Sequence, residues 1–590
     1  MLINERINKL RELMKKENLS AYIVPSFDAH KSEYVAQYWK SREFISGFTG
    51  SAGTAVILEN KSGLWVDGRY FIQAEKQIKN TEIELFKMGQ PGVPSFAEWI
   101  NDNLSQNSNI GIDGKTFSVK EIRDFKNTFE KKNIQIKFEM DLIGELWDSR
   151  PKIPDSPVID HDIKFCGKSR KEKKEELLKK LSEKGCDSSL ISSLDDIAWF
   201  LNLRGNDVNN NPVFYSYCYV DKDNTFLFIS ESKINGELSQ KLSEDGIKVK
   251  NYTEIFTFMK NADSENLFID PEKTSYSLYM SINKNIKITE GTNLTTLMKA
   301  LKNETEKENL RNANIRDGIY MVKFLKWIDE SDKTELSEIK AQEKLISLRA
   351  QDKYSKGSSF DYISAYRENA AMMHYKATKD SDKKFENKGF YLLDSGEQYL
   401  DGTIDITRTV KIGELTETEK RDYTLVLKGM INLSMIKFLH GCTGTNLDIL
   451  ARRPVWKYGI DYKCGTGHGV GFFLNVHEGP QGIRMQYSPF VLEEGMILTN
   501  EPGIYIENSH GIRTENDMIV KKSEKTEFGQ FMEFETLTVC PIDTRPIIKE
   551  LMTDEEISWL NSYHKSVYDK LSDYLDENEK KWLENAVKPI

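Results

Sequence analysis

The chain has 590 residues, of which 39% are hydrophobic and 29% charged, and its formal net charge is −10. A chain of this length is too long for one hydrophobic core, so about two to four domains are expected. The acidic balance argues against a nucleic-acid-binding protein, and the one lysine-rich run, KSRKEKKEELLKK (168–180), mixes both signs and reads as a solvated helix face.

The N-terminus and the cysteines indicate the cytoplasm. The six cysteines contain no CxxC pair, which argues against a disulfide framework and a zinc ribbon. Ile3, Ile7, Leu10 and Met14 recur at helical spacing, so residues 1–20 predict an amphipathic helix docked on a domain rather than a signal peptide. No apolar run reaches about 18 residues, so no membrane span is expected.

The first predicted domain, residues 1–155, alternates helix and strand patterns. AYIVPSF (21–27) and TAVILEN (54–60) predict strands, and GLWVDGRYFIQAEKQ (63–77) predicts a strand running into a helix. This alternation is typical of an α/β domain. The three prolines of RPKIPDSPV (150–158) indicate a linker.

The second predicted domain, residues 156–307, repeats that plan. A charged helix (168–184) comes first, followed by a strand–turn–strand unit (215–233) and another helix (234–243). The order of elements matches that of the first domain. We therefore expect two copies of one α/β fold.

The sequence changes character in the third predicted domain, residues 308–541. A long amphipathic helix begins near 308, a second helix covers 335–350, and a capping-box pattern at Thr416 opens a third that continues to residue 439. The predicted C-terminal extension, residues 542–590, is helical and amphipathic. We expect it to pack on the third domain; a partner-binding tail is the alternative.

Three glycine-punctuated segments of the third domain carry residues that can hold metal ions. They are YLLDSGEQYLDGTIDITRT (391–409), CGTGHGVGFFLNVHEGP (464–480) and TNEPGIYIENSHGIRTEN (499–516). The candidate ligands in them are Asp394, Asp405, His468, Glu501 and Glu515. Four carboxylates and one imidazole suit a manganese-like divalent ion. Two such ions, about 3.5–4 Å apart, can share a hydroxide and clamp a scissile carbonyl, which indicates a hydrolase.

Each candidate also has an ordinary interpretation when it is taken alone. Asp394 and Asp405 lie beside glycines, where aspartate commonly makes turns, and a lone histidine such as His468 is more often structural. The glycines around His468 predict close backbone approach, and the strand-like sequence is expected to continue through His477. Because no helix opens there, a phosphate-binding loop is not expected. The metal hypothesis depends on the conjunction of all five residues.

The whole chain resembles the long, three-domain Xaa-Pro aminopeptidases, known as aminopeptidase P. Beyond the ligand segments, the resemblance lies in GFTGSAGTAVI (47–57), WVDGRY (65–70) and DDIAWFLNLRGNDVNNNPVFYSY (195–217). It implies that the third domain has the pita-bread fold, which that family shares with methionine aminopeptidase and prolidase.

The resemblance also implies how the ligands are divided. Asp405, His468, Glu501 and Glu515 would bind one metal ion, and Asp394, Asp405 and Glu515 the other, so that Asp405 and Glu515 bridge. Manganese is the expected metal, with cobalt or zinc as alternatives.

Three further residues match positions of functional interest in the family, and a fourth position departs from the family pattern. His374 would stabilise the tetrahedral intermediate, His477 would contact the substrate near the proline, and Arg513 would lie beside the metal-binding carboxylates. Cys464 departs from the family pattern, because the related chains often have a histidine there, a proposed proton shuttle or product-side contact. Cys464 is either a small space-filling residue or a weak hydrogen-bonding substitute.

The activity implied is removal of the first residue from peptides with proline in the second position. A hydroxide bridging the two ions would attack the first carbonyl, Glu501 would move the water's proton, and His374 would help to stabilise the oxyanion. The family also implies a homodimer.

Four alternatives remain at this stage. A prolidase shares the five ligands but usually has one N-terminal domain, and a methionine aminopeptidase lacks such an N-terminal half. A creatinase-like amidinohydrolase needs no metal. A non-catalytic pita-bread binding protein would have lost ligands, whereas this chain keeps all five.

Overall fold

The computed structural model describes residues 1–590, and the chain divides into two compact units. The N-terminal unit comprises Met1–His161 and Lys168–Leu297, and the C-terminal unit comprises Asp162–Gly167 and Met298–Ile590. None of the helices has both the length and the apolar character that a membrane span requires.

The first part of the N-terminal unit is a six-stranded sheet with helices packed around it. Its strands are β1 (Ala21–Pro25), β2 (Thr54–Leu58), β3 (Ser62–Val66), β4 (Ile83–Lys87), β5 (Asn109–Gly111) and β6 (Gln135–Lys137). Its helices are α1 (Ile3–Lys16), α2 (Ser41–Ser46), α3 (Phe71–Ile78), α4 (Phe96–Asn103), α5 (Val119–Phe129) and α6 (Leu142–Leu146). As expected, α1 buries Ile7, Leu10 and Met14.

A second six-stranded sheet follows in the same unit. Its strands are β8 (Ser188–Ile191), β10 (Ser216–Asp221), β11 (Thr225–Ile229), β12 (Ile247–Lys250), β13 (Asn266–Ile269) and β14 (Lys287–Glu290), and a separate pair is formed by β7 (Ile159–Asp160) and β9 (Leu203–Arg204). The helices of this stretch are α7 (Ile163–Cys166), which belongs to the C-terminal unit, α8 (Arg170–Glu183), α9 (Leu194–Phe200), α10 (Gly236–Glu244), α11 (Glu254–Asn261), α12 (Tyr276–Met280) and α13 (Leu294–Ala300).

The two sheets have the same topology. The first has the strand order β4-β3-β2-β1-β5-β6 and the second β12-β11-β10-β8-β13-β14. In both, the three consecutive central strands pair antiparallel and the outer strands join in parallel. The expectation of two similar α/β domains is confirmed.

The C-terminal unit combines long helices with short, mostly antiparallel strands. The helices are α14 (Glu304–Glu330), α15 (Glu338–Arg349), α16 (Glu417–Ser434), α17 (Gly444–Trp456), α18 (Asp554–Leu571) and α19 (Glu577–Ala586). The strands are β15 (Ser355–Ser358), β16 (Ile363–Tyr366), β17 (Phe390–Ser395), β18 (Glu397–Tyr399), β19 (Gly402–Thr403), β20 (Ile406–Lys411), β21 (Phe438–Leu439), β22 (Gly467–Gly469), β23 (Glu478–Ile483), β24 (Ile497–Asn500), β25 (Gly503–Ile506), β26 (His510–Arg513), β27 (Asn516–Thr526) and β28 (Gly529–Thr536).

These strands form one large sheet and three small ones. The large sheet has the order β21-β28-β27-β24-β22-β23, and the small ones are β15-β18-β19, β16-β17-β20 and β25-β26. Helices α14, α16 and α18 pack against one another through a shared apolar cluster that includes Val322, Val426 and Leu560. The candidate ligands lie on strands of these sheets or directly beside them.

Two local expectations were wrong. Helix α16 ends at Ser434 rather than at residue 439, because Phe438 and Leu439 leave the helix and pair with β28. The strand expected to continue through His477 begins only at Glu478, and the preceding residues bend instead. The capping box is as expected, with the Thr416 side chain accepting from the Glu419 backbone N–H.

The C-terminal extension packs on the rest of its unit, as expected. Leu560, Val567 and Leu571 of α18 are almost fully buried in the same cluster as Val322 and Tyr423. Burying each such side chain contributes about 1.5–3 kcal/mol, so this helix is part of the core of the unit.

Candidate metal centre

Two antiparallel strands bring Asp394 and Asp405 to one end of a small sheet. Strands β17 and β20 pair so that Asp394 lies opposite Thr407, and Asp405 immediately precedes β20. Because side chains alternate along a strand, Asp405 and Thr407 share a face. Both aspartates are buried.

Glycines allow the strand of His468 to lie unusually close to its neighbours. A Cβ atom at Gly467 would come within 2.0 Å of the Thr499 carbonyl oxygen, and one at Gly469 within 2.2 Å of the Glu478 carbonyl oxygen. Larger residues would push β22 away from β23 and β24. The glycines therefore set how deeply His468 reaches into the site.

The side chains of Asp405, His468 and Glu515 converge, with one potential ligand atom from each lying within 4.8 Å of the others. The Nε2 atom of His468 is 3.4 Å from Oδ2 of Asp405 and 3.6 Å from Oε1 of Glu501. Charge interactions also link Asp394 to both Asp405 and Glu515. The structure thus brings the five candidate residues together.

The histidine is oriented for metal binding. Its Nδ1 atom lies 2.9 Å from the backbone oxygen of Gly469, which can only accept, so the proton is placed on Nδ1. The lone pair of Nε2 then faces the carboxylates. Metal-binding histidines typically have this arrangement, in which the second ring nitrogen donates to a fixed acceptor.

The cluster contains several buried carboxylates whose negative charges repel one another. Burial, reinforced by the neighbouring carboxylates, raises the pKa values of Asp405 and Glu515 well above their ordinary range. Among the neighbouring acids, Asp394 is paired with the Arg513 guanidinium, which donates to its Oδ2 atom. The other oxygen of Asp394, Oδ1, is buried and makes no hydrogen bond.

These observations fit divalent metal ions. An orphaned buried carboxylate oxygen, an imidazole with a free lone pair and several mutually repelling acids form a hard, oxygen-rich donor set. One guanidinium cannot compensate four buried or half-buried carboxylates, whereas divalent cations can.

A chain of hydrogen bonds fixes the orientation of the Asp394 and Glu515 carboxylates. The Thr407 hydroxyl donates to Oε2 of Glu515 over 2.6 Å, and Nε of Arg513 donates to the same hydroxyl over 3.0 Å. Nη1 of Arg513 donates to the Tyr505 hydroxyl over 2.6 Å. Arg513 therefore orients Asp394 directly and Glu515 through Thr407.

The remaining predicted residues lie in segments that pack beside this cluster or against β26, the strand that ends at Arg513. The His477 ring packs edge-on against His468, with 4.2 Å between the ring centroids. His374 is half-buried and follows a 3-10 turn, Arg367–Ala371, that packs against β26. Cys464 is half-buried, packs at the edge of the apolar cluster that includes Tyr505, and its backbone oxygen accepts from Nη2 of Arg452.

Sequence reasoning missed two residues that support the ligands. Oδ2 of the buried Asp517 accepts from the Asp405 backbone N–H over 3.2 Å, and burial raises the pKa of Asp517 to about 8. Strand alternation was the available signal, since Asp517 lies two residues beyond Glu515. The buried Arg408 donates to the Glu515 backbone oxygen over 2.6 Å and to the Tyr563 hydroxyl of α18 over 3.0 Å, a tertiary contact that no local pattern reveals.

Comparison with known protein families agrees with this geometry. Residues 308–522 match the metallopeptidase family M24, and residues 530–590 match the C-terminal region of peptidase M24. Residues 6–139 and 149–306 each match a creatinase/prolidase N-terminal domain.

Individual relatives extend the match to the whole chain. A probable Xaa-Pro aminopeptidase P of Botryotinia fuckeliana is 41% identical over 99% of this chain and 93% of its own length. An X-prolyl aminopeptidase from Caenorhabditis elegans, a cytosolic enzyme with a di-nuclear active site, is 34% identical with a TM-score of 0.96, and the match covers 100% of both chains. An Xaa-Pro dipeptidase from Bacillus anthracis is 25% identical with a TM-score of 0.50, covering 64% of this chain and 99% of its own.

The chain therefore belongs to metallopeptidase family M24, in the branch formed by the long Xaa-Pro aminopeptidases P.

Proposed function

We propose that the protein is a metal-dependent aminopeptidase that hydrolyses the bond between the first residue of a peptide and a proline in the second position. The observation that carries this proposal is the convergence of Asp405, His468 and Glu515 within a chain that matches Xaa-Pro aminopeptidases over its full length. The relatives that match the chain over its full length are Xaa-Pro aminopeptidases, which favours an aminopeptidase over a prolidase.

The metal-binding residues would be Asp394, Asp405, His468, Glu501 and Glu515, with Asp405 and Glu515 contacting both ions. When bound, two divalent cations supply Lewis-acid polarisation of the scissile carbonyl and acidify a water molecule. Manganese is the metal we propose, because the donors are mostly carboxylate oxygens.

Glu501 would accept the proton of the attacking water. Its carboxylate is near His468 Nε2, and its Oε1 atom accepts a hydrogen bond from the Thr499 hydroxyl over 3.3 Å. That hydroxyl also accepts from the His468 backbone N–H over 3.1 Å, so Thr499 fixes the positions of Glu501 and His468 relative to each other. A fixed carboxylate of this kind can move a proton to the leaving nitrogen without being displaced.

The two outer histidines would act on the substrate. His374 would donate to the oxyanion that develops on the first carbonyl, and His477, which packs on His468, would contact the peptide beside the proline. Proline in the second position is distinguished by its missing N–H and its fixed φ.

The direct test is cleavage of Xaa-Pro-Yaa tripeptides, Xaa-Pro dipeptides and Xaa-Ala-Yaa tripeptides, with Mn²⁺ and after chelation. We expect release of the first residue only from Xaa-Pro-Yaa and only with metal. Preference for the dipeptide would indicate a prolidase, and activity that survives complete metal removal would contradict both functions. His468→Ala should abolish cleavage, whereas His440→Ala, at a half-exposed histidine that pairs with Glu493, should not.

We propose that the protein works in the cytoplasm, because the C. elegans relative is a cytosolic enzyme. We also propose that it is a homodimer. Helix α17, the turn that follows it and the loop after β23 expose apolar side chains: Ile449, Trp456, Tyr458, Met485 and Tyr487. The Thr445 hydroxyl donates to the Gln486 backbone oxygen over 3.0 Å and joins the two elements. A second copy of the chain would cover this surface. Trp456→Glu should shift the protein to a monomer in light scattering, and Phe528→Glu, at an exposed phenylalanine on another hairpin, should not.

A further inference from the structure

Glu338, the first residue of α15, is a carboxylate with no exposure to solvent. Its Oε1 atom accepts from the Tyr366 backbone N–H over 2.7 Å and from the Asn369 amide over 3.0 Å. Its Oε2 atom accepts from the Tyr375 hydroxyl over 2.8 Å and from the Lys383 backbone N–H over 3.1 Å. All four donors are neutral groups, and burial raises the pKa of Glu338 to about 7.

All four donors come from one stretch of chain, residues 366–383, which we call the His374 segment. Its regular structure, after the end of β16, is limited to the 3-10 turn Arg367–Ala371. Glu338 holds this segment at its start, in its middle and at its end. Its backbone adds a further tie, since the Glu338 N–H donates to the Lys383 carbonyl over 3.2 Å.

The opposite side of the segment is fixed against the metal centre. The 3-10 turn packs on β26, the strand that ends at Arg513. At Gly511 a Cβ atom would lie 1.8 Å from the Ala370 carbonyl oxygen, so the two backbones are in direct contact. The segment is therefore held between Glu338 and the strand whose arginine binds Asp394.

His374 lies inside this segment, next to the tyrosine that bonds to Glu338. The Tyr375 hydroxyl is also within 2.9 Å of the Ser381 hydroxyl and 3.1 Å of the Asn369 amide nitrogen, so it is the centre of a buried polar network. A side chain adjacent to such an anchor has little freedom to shift. A displacement of about 1 Å at a reacting group can reduce catalysis about 100-fold.

We propose that Glu338 is a positioning residue that sets the location of His374 for catalysis. This inference rests on the proposed aminopeptidase function. The hydrogen-bond partners of the Glu338 side chain lie in the His374 segment and not among the candidate metal ligands, so Glu338 would act through its bonds to Tyr375 and to both ends of the segment.

The test is a double-mutant cycle between Glu338→Gln and His374→Ala. Glutamine has nearly the same volume as glutamate, but its amide group turns a donor toward the donors of the segment. We expect Glu338→Gln to lower kcat for an Xaa-Pro-Yaa peptide about 10- to 100-fold with little change in KM and in metal content. Once His374 is gone there is nothing left to position, so the double variant should be as active as His374→Ala alone.

A matched control is Glu556→Gln, at another buried carboxylate in the first turn of a helix, whose partners Thr553 and Lys428 lie outside the segment. Whatever its size, the fold-reduction in kcat caused by Glu556→Gln should multiply with the fold-reduction caused by His374→Ala. Multiplying effects for Glu338→Gln, loss of metal, or full activity would each overturn the proposal.

Two measurements keep the proposal separate from folding and from the proposed function. Tyr375→Phe removes one donor with little risk to folding and should lower kcat about 3- to 10-fold, again only while His374 is present. In the metal-loaded protein, amide hydrogen exchange of residues 366–383 should become faster in Glu338→Gln while β27 is unchanged. If the wild type fails to cleave Xaa-Pro peptides, the function is wrong. If exchange in the segment does not change, the positioning role is wrong.

Discussion

Asp405 and Glu338 are both carboxylates buried in the C-terminal unit, but their surroundings differ. Asp405 faces other acids, Asp394 and Glu501 among them, and burial with their charges raises its pKa well above the ordinary value. Glu338 faces four neutral donors, and burial raises its pKa to about 7.

The difference shows two ways of accommodating a buried carboxylate. Around Glu338, N–H and O–H groups offset part of the cost of burial, and the remainder is expressed as the raised pKa, so the carboxylate needs no bound cation. Around Asp405 too few donors are present, and Oδ1 of Asp394 is left without any. Such an acidic cluster becomes stable only with cations, and this requirement separates a binding site from a structural anchor.

The largest effect that would test this comparison is removal of a bridging carboxylate. We expect Asp405→Ala or Glu515→Ala to lower activity about 1,000-fold or more and to strip both metal ions, because in the proposed assignment each residue would contact both. Asp394→Ala should keep about one ion, since it would contact only one of them. Metal analysis per chain decides this, with the exposed Asp569→Ala as control. Equal, near-full occupancy in all three variants would contradict the ligand assignment.

The next largest effect concerns Glu338 and pH. Its pKa is about 7 in the folded protein against an ordinary value of 4.5, so between these values the folded state keeps a proton that the unfolded state has released. The resulting stabilisation is complete below about pH 4.5 and is lost as the pH rises through 7, a change of up to about 3 kcal/mol.

Urea unfolding of the wild type and of Glu338→Gln at several pH values between 5 and 8 measures this difference. The free energy of unfolding of the wild type should fall relative to that of the variant as the pH rises. Parallel pH profiles would show that Glu338 titrates normally and that its donors fully compensate its charge.

A smaller effect is expected where the metal centre depends on a hydrogen-bonded cation. Arg513→Lys keeps the positive charge but loses the planar guanidinium, whose three nitrogens donate to Asp394, Thr407 and Tyr505 at the same time. We expect kcat/KM or metal affinity to fall about 10- to 100-fold. Arg545→Lys, at an arginine near the surface, is the control. An unchanged Arg513→Lys enzyme would mean that charge alone matters there.

The smallest effect is expected at Cys464. It packs at the edge of an apolar cluster and offers no ligand position, so Cys464→Ser should keep kcat/KM within about 3-fold and Cys464→His should remain active. A fall in Cys464→Ser beyond about 100-fold, with both metal ions retained, would show that the sulfur takes part in the chemistry.

Local patterns were sufficient to predict much of the fold. Helix α1, the capping box at Thr416 and the repeated sheet could be predicted because amphipathic spacing, cap residues and strand alternation are local properties. The end of α16 could not, because Phe438 and Leu439 leave the helix to pair with a strand about 90 residues away in sequence.

The candidate site shows the same limit. Glycines beside Asp394 and His468 indicate close backbone approach in the sequence itself, so these residues could be proposed as ligands. Glu338 could not be associated with His374, because its partners lie 28 to 45 residues further along the chain and its first-turn position in α15 has an ordinary interpretation. Arg408 was missed for the same reason.

The bond between Arg408 and Tyr563 has a consequence for how the protein is made. Arg408 donates one hydrogen bond to the backbone oxygen of Glu515 and another to the hydroxyl of Tyr563 on α18. During synthesis on a ribosome, the candidate ligands from Asp394 to Glu515 emerge before α18 does, so the guanidinium lacks this partner until α18 has been translated. A nascent or prematurely terminated chain that ends near residue 541 would carry all five candidate ligands while Arg408, which contacts one of them, still lacked its partner on α18.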